Sequence, residues 1–210
     1  STVLHKFLLN PSFHEFLKSI DYDLSEEERT KGCAHCGGRL HRADYPRSPF
    51  AVPIEHRKHY EKRYSHCCSQ CRKRTTSQSV RYFGRRWFPA PLLVLISALV
   101  HSAVNKCCNQ LRRLFGITIS KRTCKRWKVW WKNSFTTTNF WRGVTGIIPI
   151  DFLKGPFPRQ LFSLYAHAPC TGAFPMGKAP VQGEGATLAQ RLVLVLKFLA
   201  PLTAGVLRAV

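Results

Sequence analysis

Two short cysteine pairs constrain this chain more than anything else in it: Cys33-Ala-His-Cys36, followed by Gly37 and Gly38, and Cys68-Ser-Gln-Cys71. Each has the C-x-x-C spacing that lets two thiolates reach one tetrahedral ion from a tight turn. Gly37 and Gly38 supply the positive-φ freedom that such a turn needs. Between the pairs, Arg39-Leu40-His41-Arg42 and Lys62-Arg63-Tyr64-Ser65-His66 read as short extended arms. Asp44-Tyr45-Pro46-Arg47-Ser48-Pro49 and Pro53 break the stretch between them. Two knuckles joined by a short β-hairpin make a zinc ribbon, with structural Zn2+ held by Cys33, Cys36, Cys68 and Cys71.

Other uses of cysteine fit less well. A disulfide framework needs an oxidising compartment and usually a small secreted chain; no secretory signal is read here, so reduced thiols are expected. A thioredoxin-like redox motif would sit between a strand and a helix in a βαβ unit, and none is legible around either pair. In the second knuckle Cys67 stands as an alternative to Cys68, through Cys67-x-x-x-Cys71. His35 and His66 are left outside the ligand set, because a histidine within a knuckle more often faces solvent or phosphate. Cys107, Cys108, Cys124 and Cys170 have no ligand spacing and read as ordinary reduced, half-buried thiols.

Charge says what such a module would serve. The formal net charge is +22 and the pI about 10.2, well beyond what solubility requires. The first 30 residues carry six acids (Glu15, Asp21, Asp23, Glu26, Glu27, Glu28) against three bases, a formal −3 that leaves +25 on the rest. From Lys106 to Lys132 there are nine Lys or Arg and no Asp or Glu, so the i±4 acids of an ordinary solvated helix face are missing. A polyanion is the expected partner: double-stranded DNA first, an anionic membrane second. No membrane anchor is expected. Pro91 to Val100 is too short, and Leu192 to Val210 is interrupted by Lys197, Pro201 and Arg208. With 44% hydrophobic residues the chain can support one sizeable core or two small ones.

The expected organisation is mainly α with a small β zinc ribbon. Residues 1–30 form an acidic helical lead-in with a stripe of Phe7, Leu8, Phe13, Phe16 and Leu17, its acids read as a helix start or a solvated patch. Residues 31–80 form the ribbon, ending in Arg72-Lys73-Arg74-Thr75-Thr76-Ser77. Val80-Arg81-Tyr82-Phe83-Gly84-Arg85-Arg86-Trp87 alternates bases with aromatics. It can grip phosphates and stack on bases, or it can be a strand that packs its rings inward. Residues 81–135 then hold a helix-turn-helix of homeodomain-like layout. Its first helix runs from Pro91 to His101 and its second from Asn105 to Phe115, where Gly116 ends it. Ser120 is placed to cap a third helix over Lys121 to Trp131. At 100° per residue, Cys124, Trp127 and Trp131 share one side, and Arg122, Arg126 and Val129 the other, flanked by Lys121 and Lys125. A helix that is aromatic inside and basic outside is what a major-groove reader needs. A plain three-helix bundle with a basic face is the competing reading.

The C-x-x-C-Gly-Gly knuckle, the second knuckle with its Arg-Lys-Arg-Thr-Thr tail, and Phe115-Gly116-Ile117-Thr118-Ile119-Ser120-Lys121-Arg122-Thr123-Cys124-Lys125-Arg126-Trp127 resemble the front end of insertion-sequence transposases. They are also similar to small zinc-ribbon/helix-turn-helix proteins of bacterial mobile elements. The resemblance covers roughly residues 31–135. It implies binding to element-end or operator DNA, zinc on Cys33, Cys36, Cys68 and Cys71, and contacts from Lys121, Arg122, Lys125 and Arg126. Thr123, Arg72, Lys73, Arg74, Arg85 and Arg86 complete the candidate DNA surface. A complete transposase needs several carboxylates to hold its catalytic metal ions. After the third helix only Asp151 and Glu184 remain, so no catalytic residue is assigned.

Residues 136–186 read as irregular linker, rich in Pro, Gly and Ala between Pro169 and Gly185. An apolar helix follows in 187–210, where Leu188, Leu192, Val195 and Leu199 can share a face. That face is either core or a surface for self-association or for a transposase partner. The expectation is therefore a cytoplasmic, nucleoid-associated accessory or regulatory protein that binds DNA through a helix-turn-helix propped by zinc. A transposase that cuts and joins element ends is the first alternative, and a recruitment module of a mobile-element complex the second.

Overall fold

The computed structural model describes residues 8–48, 52–83, 89–91, 94, 108–109, 112, 118–152, 157–166 and 188–204. The fold is mainly helical with a small antiparallel sheet. The first long helix among the described residues is α1, Pro11–Lys31. Asn10 caps it by accepting the Ser12 N–H at 2.9 Å, Pro11 fills the first turn, and Gly32 closes it at φ 77°. Its buried side carries Phe13, Leu17 and Ile20 at helical spacing, but also His14, Asp21 and Ser25. The expected lead-in is thus a long helix with a polar line inside its apolar stripe. Of the acids, Glu26 and Glu28 pair with Arg29 and Lys31 at the surface. Asp21 departs from the solvated patch read in the sequence and is fully buried.

The hairpin between the knuckles is present. β1 (Leu40–Arg42) pairs antiparallel with β4 (Ser65–Cys68), setting Leu40 opposite Cys68 and Arg42 opposite His66. Farther from the knuckles, β2 (Tyr45–Pro46) pairs with β3 (Lys62–Arg63), and a 3-10 helix at Ile54–His59 lies between β2 and β3. β5 (Arg74–Thr76) adds a third strand to β4, giving the order β1-β4-β5. In the sequence this segment stands out only as the basic end of the expected ribbon. The β-branched Thr75 and Thr76 directly after a tight turn are the local reason that it pairs. α1 lies on this sheet: the Arg42 guanidinium sits 4.9 Å from the ring centroids of both Tyr22 and Tyr64, and Ser25 meets His66 at 3.4 Å.

For residues 80–83 the structure shows inward packing, while 84–87, the rest of the basic–aromatic stretch, lie outside the described residues. Arg81, Tyr82 and Phe83 are all buried. Arg81 Nε donates to Asp21 Oδ2 at 2.7 Å, Ser79 Oγ donates to the same oxygen at 2.5 Å, and the Val80 N–H donates to Oδ1 at 2.6 Å. The rest of the guanidinium donates to the carbonyls of His59 and Lys62. Beside it, buried Arg63 donates to the carbonyls of Ser77, Gln78 and Thr203. Removing the carboxylate leaves a charged guanidinium in the interior. Asp21→Ala should therefore lower stability by about 3–5 kcal/mol, read by chemical denaturation.

The helical part closes around one apolar cluster. It runs from Leu8, Phe13, Leu17 and Ile20 through Val80, Phe83 and Ile119 to the later helices. These are α2 (Lys121–Val129), α3 (Asn139–Val144), α4 (Arg159–Leu164) and α5 (Leu188–Leu199). α2 continues through a π-helical turn at Trp130–Ser134, where the Phe135 N–H reaches the Trp130 carbonyl. That turn gathers Trp130, Trp131, Phe135 and Trp141 with Phe83 and Phe157 into one aromatic group. In α5, Leu192, Val193, Val195, Leu196 and Leu199 are buried in the same core, Leu188 is half-buried, and Lys197 is exposed. The side chains offered for a partner surface are therefore largely occupied within the chain. Most of the first two helices expected in the helix-turn-helix, Pro91 to His101 and Asn105 to Phe115, lies outside the described residues, as does the segment from Pro169 to Gly185. Among the described residues no helix is long and apolar enough to cross a membrane.

A histidine group ties the start of α1 to the 3-10 helix. His14 Nε2 lies 2.7 Å from the Leu8 carbonyl and must carry the proton, so Nδ1 accepts from the Tyr60 hydroxyl at 2.9 Å. His56 Nε2 donates to the Leu9 carbonyl at 3.0 Å, and the His14 ring stacks on His56 with centroids 4.4 Å apart. Burial, only partly offset by the Leu8 carbonyl, lowers the His14 pKa to about 4, and burial lowers His59 too. The unfolded chain takes up these protons first. The contribution is complete above the ordinary histidine pKa and is lost as pH falls from about 6.5 toward about 4. Denaturation curves should show His14 alone costing up to about 3 kcal/mol over that window, with a flatter profile in His14→Gln.

Candidate metal centre

Both knuckles are the same turn built twice. In the first, the Cys33 N–H donates to the Gly38 carbonyl at 2.9 Å, and the Gly37 N–H to the Cys33 carbonyl at 2.8 Å. The residue directly after each second cysteine takes positive φ: Gly37 at 71° and Arg72 at 59°. Glycine does so freely, whereas an arginine there carries the Cβ penalty and marks a turn imposed by its surroundings. Gly38 is required for a different reason. A Cβ on it would lie 2.9 Å from the Cys68 sulfur and 2.9 Å from the Gln70 side chain.

These turns deliver four sulfurs to one point. Cys33, Cys36, Cys68 and Cys71 place all their Sγ atoms within 4.8 Å of one another. The close pairs run across the knuckles, Cys33 to Cys71 at 3.6 Å and Cys36 to Cys68 at 3.4 Å. A disulfide would bring two sulfurs to about 2.0 Å. A tetrahedron with metal–sulfur bonds of about 2.3 Å has edges of about 3.8 Å, and the observed spacing fits that figure. The four cysteines can hold a metal ion such as zinc.

The backbone favours the thiolate at the first cysteine of each knuckle. The N–H groups of Cys71 and then Gln70 point at Cys68 Sγ and, with the Cys36 thiol, hold its pKa down to about 6. His35 and then Cys36 do the same for Cys33, which is also lowered. In both knuckles the donors are the second and third residues after the first cysteine. Against the N–H of Lys73, which lowers it, burial and the neighbouring thiols push Cys71 up to about 12. Four sulfurs at this spacing do not all ionise unless a cation joins them.

Strand alternation decides between the adjacent cysteines of β4. Cys68, opposite Leu40, turns into the centre. Cys67, opposite His41, turns the other way and lies 3.4 Å from the Arg72 carbonyl. His35 is exposed, but His66 is not the solvent-facing histidine expected of a knuckle neighbour. It is fully buried against Ser25, and burial lowers its pKa. Cys108 and Cys124, which have no ligand spacing in the sequence, are neighbours, with sulfurs 3.7 Å apart and Cys124 buried.

The candidate DNA residues fall into three groups. Lys121, Arg122, Lys125 and Arg126 are exposed on α2. Ser120 caps the helix by accepting the Thr123 N–H at 3.1 Å, and the half-buried Thr123 spends its hydroxyl on Ser120. Cys124 and Trp131 are buried, Trp127 is half-buried and Val129 is exposed, so both helix faces lie as the periodicity sets them. Directly after the second knuckle, Arg72 and Lys73 are exposed. Arg74 is exposed too but is tied to the Ala43 carbonyl at 2.8 Å and to Ser65 Oγ at 3.0 Å. Arg85 and Arg86 lie outside the described residues. Comparison of the chain with protein-family profiles, curated proteins and solved structures finds no match.

The metal assignment has a sharp test within one dipeptide. Cys68→Ser should leave purified, reduced protein with well under a full equivalent of zinc by elemental analysis, and Cys67→Ser should retain it.

Proposed function

We propose that this is a DNA-binding protein in which Zn2+ on Cys33, Cys36, Cys68 and Cys71 has a structural role and α2 meets duplex DNA. The ion would cross-link the two knuckles and so hold the sheet on which α1 packs. All four ligand positions come from thiols, and Cys33 and Cys68 are buried, which favours a closed structural centre over one with a place for substrate.

The observation that carries the reading is the two-sidedness of α2. Lys121, Arg122, Lys125 and Arg126 are exposed on a helix whose other face is fixed by Cys124 and the tryptophans, in a chain of net charge +22. A rigidly backed cationic helix suits the major groove: Arg122 and Arg126 to base edges, Lys121 and Lys125 to phosphates. Arg72 and Lys73 add charge on the ribbon. The resemblance to the front end of insertion-sequence transposases gives the reading its context, an accessory or regulatory protein acting on element-end or operator DNA. Asp21 is committed to Arg81, so it is not available to join Asp151 in holding catalytic ions.

DNA selection followed by gel shifts on zinc-loaded protein tests this reading. Arg122→Ala/Arg126→Ala should lose about 1–3 kcal/mol per arginine on the selected site while weak non-specific binding persists. Undiminished affinity and selectivity in the double variant would remove α2 from the reading role.

A further inference from the structure

Cys108 and Cys124 come from different parts of the chain, 16 residues apart, and meet sulfur to sulfur at 3.7 Å. Their environments differ. Cys124 lies on the buried face of α2 at 1% exposure, whereas Cys108 is half-buried against the same core. Neither belongs to the four-sulfur centre. A disulfide needs the sulfurs at about 2.0 Å, so they must close by about 1.7 Å, within the reach of side-chain rotation.

We propose that Cys108 and Cys124 form a dithiol–disulfide pair, an oxidation site that cross-links the inner face of the cationic helix to the segment ahead of it. The inequality of exposure sets the order of events. Cys108 is the thiol that an outside disulfide can reach, and Cys124 is the resolving thiol already in contact with it. With a small-molecule disulfide such as oxidised glutathione, Cys108 loses its proton and its thiolate attacks one glutathione sulfur. That forms a mixed disulfide and releases one glutathione thiolate. Cys124 then gives up its proton and attacks the Cys108 sulfur, and the second glutathione leaves. The protein is oxidised by loss of two hydrogens, and the glutathione disulfide is reduced to two thiols. A buried disulfide closing a loop of this length would narrow the unfolded ensemble and stabilise the helix from behind.

The test uses the full chain with zinc bound, so that the knuckle sulfurs are occupied. Wild type, Cys107→Ser and Cys108→Ser are equilibrated in a glutathione buffer with the disulfide form in excess, alkylated and mapped by tryptic mass spectrometry. The expected result is a Cys108–Cys124 linked peptide in wild type and in Cys107→Ser, absent in Cys108→Ser and reversed by a thiol reductant. Thermal melting should rise on oxidation in the first two proteins and not in the third. A chain that stops at glutathionylated Cys108, stays fully alkylatable, or links Cys124 to Cys107 instead would overturn the proposal.

Discussion

The buried carboxylate of Asp21 is the joint on which the architecture turns. It accepts from Arg81, Ser79 and the Val80 backbone, and so fastens α1 to the irregular segment that follows β5. Arg81 passes the connection on to the carbonyls of His59 and Lys62, at the far end of the hairpin from the knuckles. An ion pair without solvent adds little net stability over a good apolar contact, but losing one member is costly. Its worth here is register. With Asp21 on Arg81 and Ser25 on His66, α1 can sit on the sheet in one way only. The same helix gives Phe13, Leu17 and Ile20 to the core of the later helices, so the sheet and the helical body share one element.

The metal centre was the most legible part of the sequence because its chemistry is local. The C-x-x-C spacing and two glycines set both the turn and the donors, and what remained open, Cys67 or Cys68, depended on strand register. The cap and faces of α2 were legible for a similar reason: Ser120, Cys124, Trp127 and Trp131 fall at helical spacing in one short segment. Asp21, Arg63 and Arg81 were not legible, because their charge argued for the surface. Only partners 58 to 60 residues away in the chain make burial tolerable for Asp21. A hint existed, since Asp21 continues the stripe of Phe13, Leu17 and Ile20, but a stripe cannot say which basic residue will face it. His14, His56 and His59 are the same case, separate in sequence and joined only by tertiary packing.

Charge in this protein divides into two populations with different work. Arg63 and Arg81 are spent inside, on carbonyls, the Asp21 carboxylate and tyrosine rings, while Arg42, though exposed, is held by Asp44 and by the rings of Tyr22 and Tyr64. Lys121, Arg122, Lys125, Arg126, Arg72 and Lys73 face outward. The second population is what the proposed DNA-binding role rests on, and the tryptophan-backed face of α2 gives it a fixed geometry. The Cys108–Cys124 contact lies on the hidden side of that same helix, away from the charges and from the four-sulfur centre.

The proposed docking of α2 on duplex phosphates is tested most directly by the salt dependence of affinity. Each lysine that neutralises a phosphate releases condensed counterions, which adds about 0.9 to the slope of log K against log salt. Removing Lys121 and Lys125 together should therefore reduce the slope by nearly two, with affinity falling by a similar factor on every duplex sequence. An unchanged slope in that variant, with wild-type folding and zinc content, would contradict the account.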